Sequence, residues 1–329
     1  MCALPLEATA VAALFEETWD DTKLDTAHTD TNAYSVGTIA SHPVVLAHMP
    51  RMGKAAAAVV ATNLRASFRS LRLVLVVGIC GGAPRASAKE SDEQLLGDVV
   101  VSTGVIQHDF GRQFPGRFVC KVTPSDNLSR LSVEASGMLA KLQTIQGREQ
   151  LSHNVSRHLD ALQQQLGSMA AHPGRSEDKL FHPEYLHKHH DPSDCASQVS
   201  AKSEDSVCDQ AFEKSCDTLK CSQQASNLVS RLRPEQRLQP VVHFGLVASG
   251  DKVVRSGGDR DDIARRDGVI AFEMEGAGMW EELRHASCLV VKSICDYADS
   301  HKNKLFQGYA AAVAAATAKA LPQSWDARK

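Results

Sequence analysis

The sequence has no surplus of positive charge. Its 36 Lys and Arg face 39 Asp and Glu, a formal net charge of -3. That argues against a generic nucleic-acid binder, which is usually basic. No apolar run approaches the roughly 18 residues that a membrane helix needs. Met1 leads straight into Cys-Ala-Leu-Pro-Leu-Glu, without the basic n-region of a secretory signal. The nine cysteines are odd in number and scattered. Cys2, Cys80 and Cys288 sit in apolar runs, the pattern of reduced intracellular thiols rather than of a disulfide framework. The expected setting is the cytoplasm, with no membrane and no nucleic-acid partner. Phosphate-cradling motifs are absent as well. There is no Walker A run, and Gly78 is followed by Ile79, Cys80, Gly81 and Gly82 rather than by a dinucleotide fingerprint. His182, His187, His189 and His190 lie near Cys195, Cys208, Cys216 and Cys221, but the C-x2-C spacing of a zinc site is missing, so neither metal nor organic cofactor is expected. His108-Asp109 has the look of a triad pair, yet no G-x-S-x-G elbow accompanies it.

What is there is an ordinary globular composition: 329 residues, 43% hydrophobic and 23% charged. At about 150 residues per domain the length allows one or two domains, and either leaves ample chain to bury a core. Residues 7–19 read as a helix after a turn at Pro5, leaving only Met1 to Leu4 for a first strand, which is either short or cut at the chain start. Tyr34–Ile39 and Val44–Met49 read as a hairpin turning at Ser41-His42-Pro43. An alanine-rich helix runs from Gly53 to about Ser67. Leu71–Val77 is an unbroken apolar strand of the kind buried on both faces, ending in Gly78, Gly81 and Gly82. Val99–Ile106 is another. Residues 147–239 are polar and read as an insertion (about 150–240) with a short helix near 150–167. Strands then resume at Val241–Ala248, Val269–Glu273 and Cys288–Ile294. They alternate with helices at Asp259–Asp267, Gly276–His285 and Leu305–Ala320, the last read as a packed helix. This alternation predicts an α/β three-layer sandwich, its central mixed, mainly parallel sheet flanked by helices. The whole chain, 1–329, is read as one domain carrying the insertion.

Ligands of such sheets sit at the carboxyl ends of strands. There the sequence places Glu7, then the Gly78–Gly82 turn, then Ser249 with Asp251, then Glu273-Met274-Glu275, then Asp296 with Asp299. A single acid after a strand is most often a helix cap. Four acid-bearing ends on one edge are harder to dismiss, because crowded like charges must be separated by hydrogen bonds or a ligand.

These stretches carry a resemblance. ALPLEA (3–8), DTNAYSVG (30–37), VVGICGGAP (76–84), GDVVVS (97–102), QHDFGR (107–112), FGLVASGD (244–251), FEMEGAG (272–278) and ICDYADSHKNK (294–304) together resemble the purine nucleoside phosphorylase/uridine phosphorylase superfamily. The set is most similar to methylthioadenosine/adenosylhomocysteine nucleosidases and to the fungal nucleoside phosphorylase-like domain, which often stands at the N-terminus of NACHT or ankyrin-repeat proteins. The resemblance implies that Asp296 protonates or hydrogen-bonds purine N7, which is general acid catalysis. It implies that Glu275 takes the ribose hydroxyls, Met274 packs on the sugar, and Glu7 positions the attacking water. Glu273, Cys80, Gly81, Ser249 and Phe244 are the further substrate-binding candidates, Ser249 and Asp251 lining or bracing the base pocket. Asp299, His301 and Lys302 are either caps and salt links or closers of the pocket. The implied partner is a small purine nucleoside, and the implied assembly a homo-oligomer, dimeric or larger.

Bacterial-type phosphorylases of this fold carry Arg and Ser around the glycine turn. Here Val76-Val77-Gly78-Ile79-Cys80 carries neither, and a desolvated phosphate without a cation is costly. Hydrolysis is therefore expected over phosphorolysis, with Arg51 the one residue able to reverse that by binding phosphate. The alternatives are a phosphate-dependent phosphorylase and a non-catalytic nucleoside-sensing domain. The chain ends at Lys329 without a repeat module, as expected of a free-standing enzyme, and Glu7, Glu275 and Asp296 together suit turnover better than binding alone.

Overall fold

A computed structural model of the protein describes residues 1–84, 93–115, 117–121, 131–190, 209–221, 224, 226–231, 239–283 and 286–324. Its central sheet is built from β4 (Leu73–Gly82), β5 (Val99–Gln107), β8 (Val242–Ser249), β9 (Val269–Glu273) and β10 (Ser287–Asp296), in the order β10-β4-β9-β8-β5. Parallel pairings join β10 to β4, β5 to β8 and β8 to β9, while β4–β9 and β10–β5 are antiparallel. The sheet is therefore mixed and mainly parallel, and it curls until β10 meets β5. The apolar runs explain this placement, since β10 is buried at every position.

Helices cover both faces. On one lies α7 (Gln307–Ala320), packed on β4 and β10 and covered in turn by α1 (Pro5–Ala12) and α4 (Ile145–Leu166). Alanines at 310–312, 314–316, 318 and 320 are all buried, and their small side chains let this helix lie between two layers. On the other face α2 (Lys54–Ser67) packs against α6 (Gly276–Glu282), which touches β5 and β10. The remaining helices are α3 (Val133–Leu142) and α5 (Gly257–Asp267). Three more strands, β1 (Glu17–Trp19), β2 (Ala33–Ile39) and β3 (His42–His48), form a separate antiparallel sheet, and β6 (Gly111–Phe114) pairs with β7 (Arg117–Cys120). No helix among the described residues is long and apolar enough to cross a membrane.

The expected helix over 7–19 is corrected. The helix stops at Ala12, and Glu17–Trp19 pair with β2 instead. Gly37 allows this, because a Cβ there would lie 2.0 Å from the Glu17 carbonyl oxygen. The hairpin turn also moves. Ala40 and Ser41 occupy it with φ of 52° and 64°, the geometry of a two-residue turn that matches strand twist, so His42 and Pro43 belong to β3. The glycines 78, 81 and 82 lie inside β4 rather than after it. The first segment is short but firmly held. The Met1 amino group donates to Leu75 O at 2.8 Å, Val77 N–H to Met1 O at 3.0 Å, and Met49 N–H to Cys2 O at 3.0 Å. In the expected insertion, α4 contributes Leu151, Val155, Leu159 and Leu162 to the main core. Cys195 and Cys208 lie outside the described residues.

The contact of α6 with α2 turns on Gly278. A Cβ there would stand 2.0 Å from the Lys54 carbonyl oxygen. Alanine normally favours a helix by about 1 kcal/mol over glycine. Gly278→Ala is instead expected to destabilise by about 1–3 kcal/mol through overpacking, read as a lower urea midpoint at unchanged slope. A midpoint equal to or above wild type would show that this contact is not tight.

Candidate active site

A cavity of about 280 Å³ opens at the carboxyl ends of β4, β9 and β10. Glu7, Cys80, Gly81, Glu273, Met274, Glu275 and Asp296 all line it, so the structure brings together most of the residues that the sequence singles out. Two of them fall elsewhere. Ser249 is wholly buried behind the cavity, where its Oγ accepts the Ala277 N–H at 3.0 Å. Phe244 sits five residues before the end of β8, opposite Val101, with the Arg148 guanidinium 5.5 Å from its ring, and is not among the lining residues.

Glu7 is 1% exposed. Its Oε2 accepts the N–H groups of Ala3 and Leu4, each at 2.9 Å, and its Oε1 accepts that of Ile79 at 2.8 Å. The first contacts bend the chain start around the head of α1, and the last ties that helix to β4. Gly78 makes room, since a Cβ there would fall 1.9 Å from Glu7 Oε1. Glu275 Oε1 accepts the Gly53 N–H at 3.2 Å, and Gly53, with φ of 109°, has a conformation that suits only glycine. The Glu273 carboxylate accepts the N–H groups of Glu275 and Gly276 at 2.9–3.0 Å. It shapes the turn between β9 and α6 rather than offering a free oxygen. Burial pushes the Glu273 carboxyl above the ordinary glutamate range, and neighbouring Glu275 pushes the same way.

Lys292 was missed in the sequence. It lies in the middle of β10, 2% exposed, with Nζ 3.1 Å from Glu275 Oε2 and 3.6 Å from Glu7 Oε1. Burial works against its ammonium, but Glu275, Glu7 and Glu273 outweigh that and hold it above the ordinary lysine range. A charged residue inside the apolar run Leu289–Ile294 was the available signal. It answers the crowding of carboxylates at this sheet edge.

Asp296 ends β10. Its Oδ1 accepts the Ala298 N–H at 2.9 Å and lies 3.2 Å from Lys302 Nζ. Ala298 has φ of 50°, a left-handed turn costly for a residue with a Cβ, and it folds the chain back over the carboxylate. The turn is braced from behind. Arg260 donates to the Tyr297 carbonyl at 3.0 Å, and Arg231 donates to the Tyr297 hydroxyl at 3.0 Å and to Glu93 at 2.8 Å. Burial raises the thiols of Cys80 and Cys295 far above the ordinary thiol range, which disfavours the reactive thiolate. Asp109 binds Lys54 Nζ at 2.6 Å, and Asp251 binds the Lys54 N–H at 2.9 Å, so both fix the start of α2. Arg51 is exposed and outside the cavity lining, whereas Lys252 and Arg255, after β8, are in it.

A mainly parallel α/β sheet with buried carboxylates beside its strand ends and a buried lysine within β10 defines the class. Residues 1–174, more than half of the chain, match the model of the Phosphorylase superfamily, and the chain belongs to that superfamily. A nucleotide-binding leucine-rich repeat (NLR)-like protein of Hyaloscypha variabilis is 31% identical over 336 residues, with 98% of this chain and 28% of the relative covered. The chain thus spans just over a quarter of that curated relative. Similar solved structures include the futalosine hydrolase of Helicobacter pylori, with a TM-score of 0.55, 16% identity, and 98% of this chain and 95% of that one covered. Another is the 5'-methylthioadenosine/S-adenosylhomocysteine nucleosidase of Neisseria meningitidis in complex with methylthio-immucillin-A, with a TM-score of 0.54, 17% identity, and 98% and 96% covered. At such identities the likeness is one of fold.

Asp299 supplies a pH test of the turn. Burial pushes its carboxyl up to about 6, against the opposing pull of Arg260. A raised carboxyl means that the folded chain holds an extra proton between about pH 4 and pH 6, so stability is lost as pH rises through that window. The loss is about 3 kcal/mol in size. Asp299→Asn removes it, so the stability difference between variant and wild type is expected to shift in favour of the variant from pH 4 to pH 7. Urea unfolding at both pH values checks this, and a pH-independent difference would contradict it.

Proposed function

We propose that the protein is an N-glycosyl hydrolase that cleaves a purine ribonucleoside into free base and ribose. The observation that carries this reading is the convergence of Glu7, Glu275 and Asp296 on one cavity. Cleavage of an N-glycosidic bond passes through an oxocarbenium-like sugar, so it calls for an acid at the base and a base at the water, as in glycoside hydrolysis. Asp296 gives its proton to purine N7 as the bond from nitrogen to C1′ breaks, and the electron pair leaves with the base. Water attacks C1′ and Glu7 takes its proton. With Oε2 fixed by two amides and Oε1 by one, Glu7 is rigid, and the fourth acceptor direction of the carboxylate serves the water. Glu275, held by Lys292 and Gly53, receives the ribose hydroxyls, with Met274 on the sugar. Phe272 and Val253, which also line the cavity, offer apolar surface for the base.

A second reading has an observation behind it. The relative is an NLR-like protein more than three times as long as the match, so the domain also suits a role as the nucleoside-sensing part of a larger chain. Phosphorolysis draws support from Lys252, Arg255 and Lys302 in the lining.

The test is chromatography of adenosine, inosine, guanosine and uridine after incubation with the protein, with and without phosphate. Free base released from a purine nucleoside equally in both buffers is the expected result. Asp296→Asn, which can still hydrogen-bond N7 but cannot protonate it, is expected to lower kcat by about 10²–10⁴-fold. Release that needs phosphate would make the protein a phosphorylase. No release in either buffer, with nucleoside binding intact, would favour the sensing reading. Full activity in Asp296→Asn would overturn the assignment of the acid.

A further inference from the structure

Away from the cavity, two cysteines and a histidine converge. The Nδ1 of His187 lies 3.5 Å from Cys216 Sγ and 3.5 Å from Cys221 Sγ. All three ligand atoms fall within 4.8 Å of one another, His187 and Cys221 being buried and Cys216 partly so. None of the thiols is in a disulfide. We propose that His187, Cys216 and Cys221 form a structural site for a thiophilic tetrahedral cation of the zinc class.

Three observations carry this. The first is distance. With Zn–N near 2.05 Å and Zn–S near 2.3 Å, tetrahedral angles set nitrogen and sulfur about 3.6 Å apart, which matches both separations. The second is the histidine's tautomer. Its Nε2 faces the carbonyl oxygens of Lys214 at 2.9 Å and Ala211 at 3.2 Å. Both are acceptors only, so Nε2 carries a proton, as metal-ligating histidines do toward an outer partner. When the ring is neutral, the lone pair of Nδ1 faces the two sulfurs. One lone pair cannot accept good hydrogen bonds from two thiols, whereas one cation is shared by all three atoms.

The third observation is the setting. Cys216 and Cys221 sit on one tight loop, with the Cys221 N–H donating to the Cys216 carbonyl at 2.9 Å and Lys220 at φ of 57°. Among the described residues the buried apolar cluster around it comprises Ala211, Leu219 and Cys221, with Tyr185 and Cys216 packed against it, a small core of the kind that a metal supplements. The site also reaches the turn that carries Asp296. The His187 N–H donates to Ser300 Oγ at 2.9 Å, and Phe181 stacks on His301 with ring centroids 3.8 Å apart. The cation thus fastens residues 181–190 and 209–221 to the Asp296 turn and takes no part in chemistry. The C-x4-C spacing and a histidine 29 residues upstream hid the site from a search by spacing.

The inference stands apart from the nucleosidase reading and is tested without an activity assay. The full chain, produced without a polyhistidine tag in zinc-supplemented medium, is expected to hold one zinc per chain by inductively coupled plasma mass spectrometry. After chelation, added cobalt is expected to give a thiolate-to-cobalt charge-transfer band in the near ultraviolet and the strong visible bands of tetrahedral cobalt. The double variant Cys216→Ser/Cys221→Ser should lose zinc and the charge-transfer band. His187→Ala should weaken cobalt binding by at least the roughly 10–100-fold known for loss of an outer partner. The wild-type spectrum decides the matter even if a variant fails to fold. Wild type with background zinc and no charge-transfer band would overturn the proposal. So would a Cys216–Cys221 disulfide, seen as two fewer titratable thiols in the unfolded chain, or a band that survives in a folded double variant.

Discussion

The ammonium of Lys292 is the interaction on which the site depends. Three glutamates, at 7, 273 and 275, are buried at one sheet edge, and each is 5% exposed or less. Buried carboxylates repel one another and lose their hydration, a cost that stands unless charge and hydrogen bonds replace the water. Backbone amides supply the hydrogen bonds, from Ala3, Leu4 and Ile79 to Glu7, from Gly53 to Glu275, and from Glu275 and Gly276 to Glu273. Lys292 supplies the charge. The glycines at 78 and 53 follow from the same constraint, one making room for a carboxylate and the other aiming an N–H at it.

This arrangement links distant parts of the chain. The residues at 1–4 matter because they wrap the Glu7 carboxylate, and they are themselves pinned between β3 and β4. The strained turn at Ala298 positions Asp296, and residues within the long polar stretch hold that turn. Asp178 bonds the Tyr297 hydroxyl, Arg231 joins the same hydroxyl, and His187 bonds Ser300. The described parts of the region first read as an insertion are thus braces for the turn beside the cavity.

Much of this was legible in the residues. Apolar runs and strand–helix alternation revealed the sheet, because a strand buried on both faces cannot hide its composition. The acids at the strand ends revealed the site edge. Local reading failed where distant contacts decide. Thr18 and Trp19 became strand because Gly37 leaves room for Glu17. Ser249 and Phe244 share one strand, but only three-dimensional placement shows that neither opens on the cavity. Lys292 was hidden by its neighbours, since nothing nearby in sequence announces three glutamates around it. The cysteine pair at 216 and 221 was hidden because its histidine partner comes from another segment.

The most direct test of the central claim is the pH dependence of stability in Lys292→Met beside wild type, measured by urea unfolding from pH 5 to pH 8. Removing one partner of a buried ion pair costs about 3–5 kcal/mol. Without the ammonium, the clustered carboxyls bind protons more tightly in the folded chain than in the unfolded one, so stability is lost as pH rises. The account predicts a variant with a large deficit at neutral pH that narrows as the pH falls toward 5. A deficit that is absent, or that stays constant across the range, would show that Lys292 is not the counter-charge that holds this site together.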